Sequence, residues 1–236
     1  MAEVTPLLRL SGVQGWYGES HVLHGVDLSI MPGEILMLTG RNGAGKTTTL
    51  KAIAALLKKR TGKIEIGGKD VSNTPRHRLA YEGLAYVPEE RGIFASLTVE
   101  ENLHLPVVVA DGGMTTEEIY TLFPNLKERR TSPGTKLSGG EQQMLAMARV
   151  LRTGAKLLML DEPTEGLAPV IVDRIAETLR ILKKRKMTIL LVEQNFNFSR
   201  GLADRLCVME HGRIVLEVAA SEIDKRRAEL EGYLGV

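Results

Sequence analysis

A chain of 236 residues with 43% hydrophobic and 25% charged side chains has the balance of a soluble globular protein, long enough for one large domain or two lobes on a shared core. Its net charge of +2 is too small to point to a polyanionic partner, and its single cysteine, Cys207, excludes an internal disulfide and argues against a structural zinc site. The opening "MAEVTPLLRL" carries no secretion pattern, and no apolar run approaches the roughly 20 residues of a bilayer span, so the expected location is the cytoplasm.

In chain order, residues 4 to 35 and 62 to 71 read as short strands of an antiparallel sheet, with turns at Met31-Pro32-Gly33 and Gly67-Gly68. "EILMLTG" (34 to 40), "KLLMLDE" (156 to 162) and "MTILLVEQ" (187 to 194) are nearly continuous apolar runs, which suit parallel strands buried on both faces. The first leads through a glycine-rich turn into a helix carrying Leu50, Ile53, Ala54 and Leu57. Lys58-Lys59-Arg60 reads as its solvated end, where cations complement the helix dipole, not as a nucleic-acid contact. Residues 98 to 152 read mainly as helix, opening on the capping-box pattern Thr98…Glu101 and broken by loops at 110 to 115 and 131 to 135.

After the second run, "APVIVDRIAETLRILKKRK" predicts a helix with Val172, Ile175, Ala176, Leu179 and Leu182 on one face and Pro169 in its first turn. The basic run Lys183 to Lys186 is its solvated end. Strand, crossover helix and strand form the expected right-handed unit of an α/β fold. Cys207 falls in the apolar run "RLCVME" and is expected to be buried and inert.

Two glycine-rich helix starts carry the chemistry. "GRNGAGKT", Gly40 to Thr47, matches the phosphate-loop spacing between an apolar strand and a helix. Gly40, Arg41, Asn42, Gly43, Ala44 and Gly45 let backbone N–H groups wrap phosphates at the positive end of the helix. Lys46 is placed for the β- and γ-phosphate oxygens, Thr47 for Mg²⁺ and Thr48 for the α-phosphate. In "LLMLDE", Asp161 ends a buried strand as a partner for the Mg²⁺ shell, and Glu162 is free to polarise an attacking water. The second start, "LSGGEQQ", has no lysine after its glycines and cannot repeat the first site. Alone, Ser138…Glu141 is a capping box on a helix with a buried stripe of Met144, Met147, Ala148 and Leu151.

Taken together, "GRNGAGKT", "LSGGEQQ" and "LLMLDEPT" resemble the nucleotide-binding subunits of ABC transporters, and the resemblance covers nearly the whole chain. It implies one domain over 1–236: a phosphate-loop core of mainly parallel sheet flanked by helices, an antiparallel β subdomain and a helical subdomain. The core and β lobe would span about 1–87 and 153–236, the helical lobe about 88–152. It implies ATP and Mg²⁺ as cofactors and a head-to-tail dimer, in which Leu137, Ser138, Gly139, Gly140 and Glu141 serve the ATP of a homologous or identical partner subunit. Tyr17 would stack on adenine, with Trp16 as its rival. "AYVPEERGIF" would join the core to the helical lobe, "DEPTEGLAP" with Glu165, Gly166 and Leu167 would cross the dimer interface, and "ADRLCVMEHGRIV" would supply a strand pair.

Three positions depart from the family pattern. Glu89 stands where glutamine usually touches the Mg²⁺ shell or attacking water, adding negative charge that Arg91 could offset. Gln194 stands where a switch histidine is usual, so a γ-phosphate there would be met by an amide that cannot titrate. Ala168 stands where aspartate is frequent. With these departures, "VPEERGIFASLTVEENL", "LSGGEQQMLAMAR", "DEPTEGLAP" and "LLVEQN" resemble the ATPase subunits of branched-chain amino acid importers. The resemblance implies permease partners, indirectly a substrate-binding protein, and a peripheral position on the inner face of the cell membrane. Urea and amide importers remain an alternative. An ABC-type ATPase of DNA repair is a second, but the long coiled coils or zinc modules of such chains are missing here.

Overall fold

The computed structural model describes residues 5–195, 198 and 201–234. Its first layer is an antiparallel sheet of β1 (Leu8–Tyr17), β2 (Ser20–Ile30), β4 (Lys59–Ile66) and β5 (Lys69–Asp70), in the order β2-β1-β4-β5. The expected antiparallel sheet is present, but β1 and β2 are long strands of ten and eleven residues, not short ones. Register shifts between Leu10 and Val13 let the pair stay twisted over that length, with Gly12 at φ 58°. Positive φ at Gly67 and Gly68 closes the β4–β5 hairpin.

The second layer is a six-stranded sheet in the order β10-β9-β3-β8-β7-β6. It contains β3 (Ile35–Thr39), β6 (Leu84–Val87), β7 (Leu157–Asp161), β8 (Thr188–Val192), β9 (Arg205–Glu210) and β10 (Arg213–Ala219). All neighbours are parallel except the β9–β10 hairpin at one edge. The three apolar runs became β3, β7 and β8, and every residue in them is buried. Alternate side chains serve opposite faces: Leu36, Leu38, Met159 and Leu190 pack toward the first sheet, whereas Ile35, Leu158, Leu160 and Leu191 pack against the helices. Cys207 is buried in β9, and burial pushes its thiol up to about 12.

Helix α1 (Lys46–Ile53) shares the core of the first face through Leu50 and Ile53. It was expected to continue through Leu57, and it stops sooner because Ala55 takes the left-handed conformation at φ 55°. Leu56 N–H then closes onto the Lys51 carbonyl at 2.8 Å, a Schellman-type ending built without glycine. Ala54 and Leu57 are still buried. Consequently Lys59 and Arg60 open β4 and are not a helix end. Arg60 reaches back to the Ala52 carbonyl and, at 2.8 Å, to that of Ser72, so the cation serves the end of α1 from a strand.

A single-turn α2 (Arg76–Leu79) precedes β6, and between β6 and β7 lie α3 (Val99–His104), α4 (Thr116–Leu122), α5 (Pro124–Glu128) and α6 (Gly139–Leu151). Capping boxes begin three of them, at Thr98/Glu101, Thr115/Glu118 and Ser138/Glu141. Val99, Leu103, Phe123, Leu126 and Met144 join these helices to the same core as Leu158 and Leu160 of the sheet. The crossover helix α7 (Pro169–Lys184) buries Ile175, Ala176, Leu179 and Leu182, while Val172 is only half-buried. Its basic end is engaged as well as solvated: Lys183 pairs with Asp204 at 2.7 Å and Arg185 with Glu118 at 2.9 Å. No helix among the described residues is long and apolar enough to cross a membrane.

Candidate active site

The cleft forms where β3, β7 and β8 present their carboxyl ends, the usual ligand crevice of an open α/β sheet. Gly40 leaves β3 at φ 148°, and a Cβ there would sit 2.2 Å from the Met209 carbonyl oxygen. Gly43 at φ 79° and Gly45 at φ 110° complete a turn that side chains would strain. Unlike α3, α4 and α6, helix α1 has no capping side chain and no acid in its first turn. Its leading N–H groups thus face the cleft without an internal anion. Lys46, 4% exposed, rests its ammonium on the carbonyls of Gly40 (2.9 Å) and Arg41 (3.3 Å), with Glu162 Oε1 at 3.4 Å. The phosphates of a bound triphosphate would offer this ammonium stronger, charged acceptors than these carbonyls.

Asp161, at the end of β7, accepts from Thr47 Oγ1 and from Tyr86 OH, both at 3.0 Å. Burial pushes its carboxyl above the ordinary range, and those two hydroxyl bonds oppose the shift. Thr47 and Asp161 together offer oxygen donors alone, the set a hard cation such as Mg²⁺ selects. Glu162 follows in the left-handed region at φ 43°, held there by its N–H on the Val192 carbonyl at 2.9 Å. Gln194, just beyond β8, donates from Nε2 to both Glu162 oxygens, at 2.9 and 3.0 Å, and to Asn42 Oδ1 at 2.5 Å. The amide expected at the γ-phosphate is therefore engaged by the carboxylate next to it.

Val22, Asn42, Gly43, Gly45, Lys46, Thr47 and Thr48 line a cleft of about 490 Å³ together with Glu89, Glu162 and Glu165. Glu165 is exposed at the cleft wall, yet local desolvation, then the charges of Glu162 and Glu89, push its carboxyl above the ordinary range. Arg91 shares a smaller recess of about 220 Å³ with Glu89, Glu162, Glu165 and Gln143. Its guanidinium also lies beside Gly139, where a Cβ would come within 3.1 Å of Nη1. Arg91 thus stands between the acidic cluster and the second glycine-rich helix start.

Sequence reasoning missed several residues here. Tyr86 lies 75 positions from Asp161, and burial is the main reason its phenol is pushed well above the usual range. Glu193, buried behind Glu162, accepts from Thr164 N–H (3.0 Å) and Oγ1 (2.6 Å) and so fixes the segment after Glu162. Gln143 is buried with no partner for Nε2 among the described residues. None of the three has a local signal, since each matters only through a partner distant in sequence.

The second helix start does not line this cleft. Ser138 is exposed and accepts from Glu141 N–H at 3.3 Å, while Glu141 Oε2 takes the Ser138 N–H and Oγ, both at 2.8 Å. Arg129 holds the other Glu141 oxygen at 2.8 Å. The helical ladder begins with Gln142 N–H on the Ser138 carbonyl, ahead of which stand the N–H groups of Gly139 and Gly140. Leu137 is buried beneath them. At the far end of β1, Trp16 stacks on His21 with ring centroids 4.4 Å apart, and Lys59 lies 4.9 Å above it. Tyr17 stays 48% exposed and lies near enough to Tyr86 to raise its pKa further. Between the rivals, Trp16 is occupied and Tyr17 is open.

A two-layer α/β core with an uncapped glycine-rich loop, a buried lysine and a Thr–Asp pair defines a phosphate-loop nucleotide hydrolase. The chain belongs to the ABC transporter family, whose model matches residues 23–165. It is 39% identical to the high-affinity branched-chain amino acid transport ATP-binding protein BraG of Pseudomonas aeruginosa, over 97% of this chain and 100% of that one. It is 38% identical to the probable branched-chain amino acid transport ATP-binding protein LivF of Archaeoglobus fulgidus, over 92% and 94%. Among solved structures, the dimeric post-hydrolysis state of an ATP-binding cassette bound to ADP and phosphate superposes with a TM-score of 0.79 at 25% identity, covering 90% of this chain and 98% of that one. The protein is an ATP-binding subunit that hydrolyses ATP in support of transport.

Proposed function

We propose that this chain powers import of branched-chain amino acids as half of a head-to-tail pair of ATPase subunits bound beneath membrane permeases. One observation supports the dimer: of the two glycine-rich helix starts, that of α1 lines the chain's own cleft and that of α6 does not. Ser138 with the N–H groups of Gly139 and Gly140 is left for the terminal phosphate of the partner's ATP. Leu137 and Glu141 support that start from below and from the side. Binding of ATP closes the pair, and loss of the γ-phosphate removes what the second start holds, so the two states differ in contact energy available to the permeases.

Within the cleft, backbone N–H groups from Gly40 to Gly45 and the Lys46 ammonium hold the phosphates, Thr48 reaches the first of them, and Tyr17 stacks on the base. Mg²⁺ would be held by Thr47 and Asp161, with Glu89 at its outer shell, and when bound it would neutralise charge developing on the phosphates. Glu162 takes the proton of the attacking water, oriented by Gln194. In domain terms, residues from about 88 to 152 form the lobe that meets the permeases, and the remainder forms the ATP-binding core with its β lobe. The chain sits on the inner membrane face through those permeases, and a solute-binding protein acts at one remove.

Substrate assignment rests on likeness to BraG and LivF. Reconstitution with the permeases in vesicles tests it: leucine with its binding protein should stimulate ATP hydrolysis and accumulate inside. Stimulation by urea or short amides alone would refute the amino acid assignment.

A further inference from the structure

The phosphate loop is held from both sides by parts of the chain that come late in sequence. On its inner side, Gly212 N–H donates to the Ala44 carbonyl at 2.8 Å, and Gly40 lies directly against the Met209 carbonyl. On its outer side, Arg41, Asn42 and Gly43 are exposed. There Arg41 reaches away from the cleft, donating from Nε to the Tyr233 carbonyl (3.2 Å) and from Nη2 to that of Gly232 (3.3 Å). Both carbonyls lie in the last turn of the C-terminal helix, Arg227–Leu234, which carries no basic residue of its own there. A guanidinium satisfies the open carbonyls and the negative dipole end together.

The anchor is itself firm, because Leu230 of that helix is fully buried with Met37, Leu206 and Val208 of the central sheet. The other end of the linkage reaches the chemistry. The main-chain carbonyl of Arg41 receives the Ala44 N–H at 3.1 Å and the Lys46 ammonium at 3.3 Å. Arg41 does not line the 490 Å³ cleft; it lines a separate cavity of about 240 Å³ with Met209, His211 and Tyr233. The side chain of the second phosphate-loop residue is thus spent on the end of a helix remote in sequence.

We infer that Arg41 is a positioning residue through which the C-terminal helix sets the affinity of the phosphate loop for ATP. Fixing the Arg41 backbone fixes the carbonyl on which Lys46 waits, so the loop meets the phosphates already ordered and loses less entropy on binding. This rests on ATP occupying the cleft, which binding by the unaltered chain establishes separately.

The test is titration calorimetry with ATP and Mg²⁺ on the full chain, on Arg41→Met, on Arg41→Lys and on a chain ending at Glu231, which loses both acceptor carbonyls and keeps Leu230. Arg41→Met and the shortened chain should each weaken ATP binding by roughly three- to tenfold, the range for charge-assisted bonds at an exposed site. Combined, they should do no more than either alone, and Arg41→Lys should recover part of the loss. KM should rise with kcat at saturating ATP little changed. Unaltered affinity in Arg41→Met, or effects that multiply in the combination, would overturn the linkage. Should the shortened chain melt early, amide exchange at residues 40–45 in Arg41→Met decides: faster exchange supports the linkage and unchanged exchange refutes it. Absence of ATP binding in the unaltered chain would instead reject the occupancy of the cleft.

Discussion

Replacement of Gln194 by alanine removes a side chain that touches both oxygens of Glu162 and the loop residue Asn42. The amide makes one charge-assisted contact with the carboxylate, shared between its oxygens, and such contacts contribute about 1.5–3 kcal/mol. Gln194 is only half-buried, so water replaces part of the loss and the lower bound applies. A penalty near 1.5 kcal/mol in the transition state is roughly a tenfold drop in kcat. Because Lys46 and the loop N–H groups are untouched, the affinity for ATP should change by less than about threefold, well under 1 kcal/mol. Phosphate release at saturating ATP, with a parallel binding titration, separates the two effects. An unchanged kcat, or a loss confined to affinity, would refute the orienting role. A histidine-like titration in the pH–rate profile would do the same, since an amide carries no titratable proton.

Other substitutions probe the surrounding structure. Ala168 is the N-cap residue of α7, just ahead of Pro169, with extended angles, φ −66° and ψ 147°, and no capping side-chain hydrogen bond. Ala168→Ser should supply the missing acceptor and raise stability by about 1 kcal/mol, seen as a melting shift of roughly 2–4 °C; no shift would show that α7 is capped in another way. For Asp161, burial places the folded pKa above the unfolded value, so the native state holds the proton more tightly and stability falls as pH rises between the two. Asp161→Asn should therefore melt higher than the unaltered protein at neutral pH, lose that advantage below the ordinary pKa of 3.8, and fail to hydrolyse ATP. A lower melting temperature at neutral pH would contradict that sign. Glu193→Ala should leave the buried donors of Thr164 unmet, costing on the order of 1–3 kcal/mol in a urea melt; a neutral result would show that water replaces the carboxylate.

The central strands were legible because a strand buried on both faces must be apolar throughout, and Leu157–Asp161 and Thr188–Val192 meet that demand without interruption. The boxes at Thr98 and Ser138 were legible because their partners lie three residues away. The equivalent box at Thr115 was hidden by its loop-like surroundings. The end of α1 was illegible for a different reason: alanine takes a left-handed position at 55, where glycine would have announced the stop. Strand β6, four residues long, gave too little pattern to register. In the cleft, spacing along the chain revealed the phosphate loop and the Asp161–Glu162 pair. It did not reveal Tyr86 on Asp161, Gln194 on Glu162 or the crowding of Glu89, Glu162 and Glu165, which exist only once β6, β7 and β8 lie side by side.

The shared active site is tested most directly by mixing two inactive variants of the chain, one with Lys46→Ala and the other with Ser138→Arg. In a head-to-tail pair, a mixed dimer contains one site with an intact phosphate loop from one chain and an intact Ser138 start from the other. Random pairing of two-site dimers should restore about a quarter of normal hydrolysis. Hydrolysis that stays at the level of the separate variants after mixing, or a Ser138→Arg chain that is fully active alone, would contradict a site completed by a second subunit.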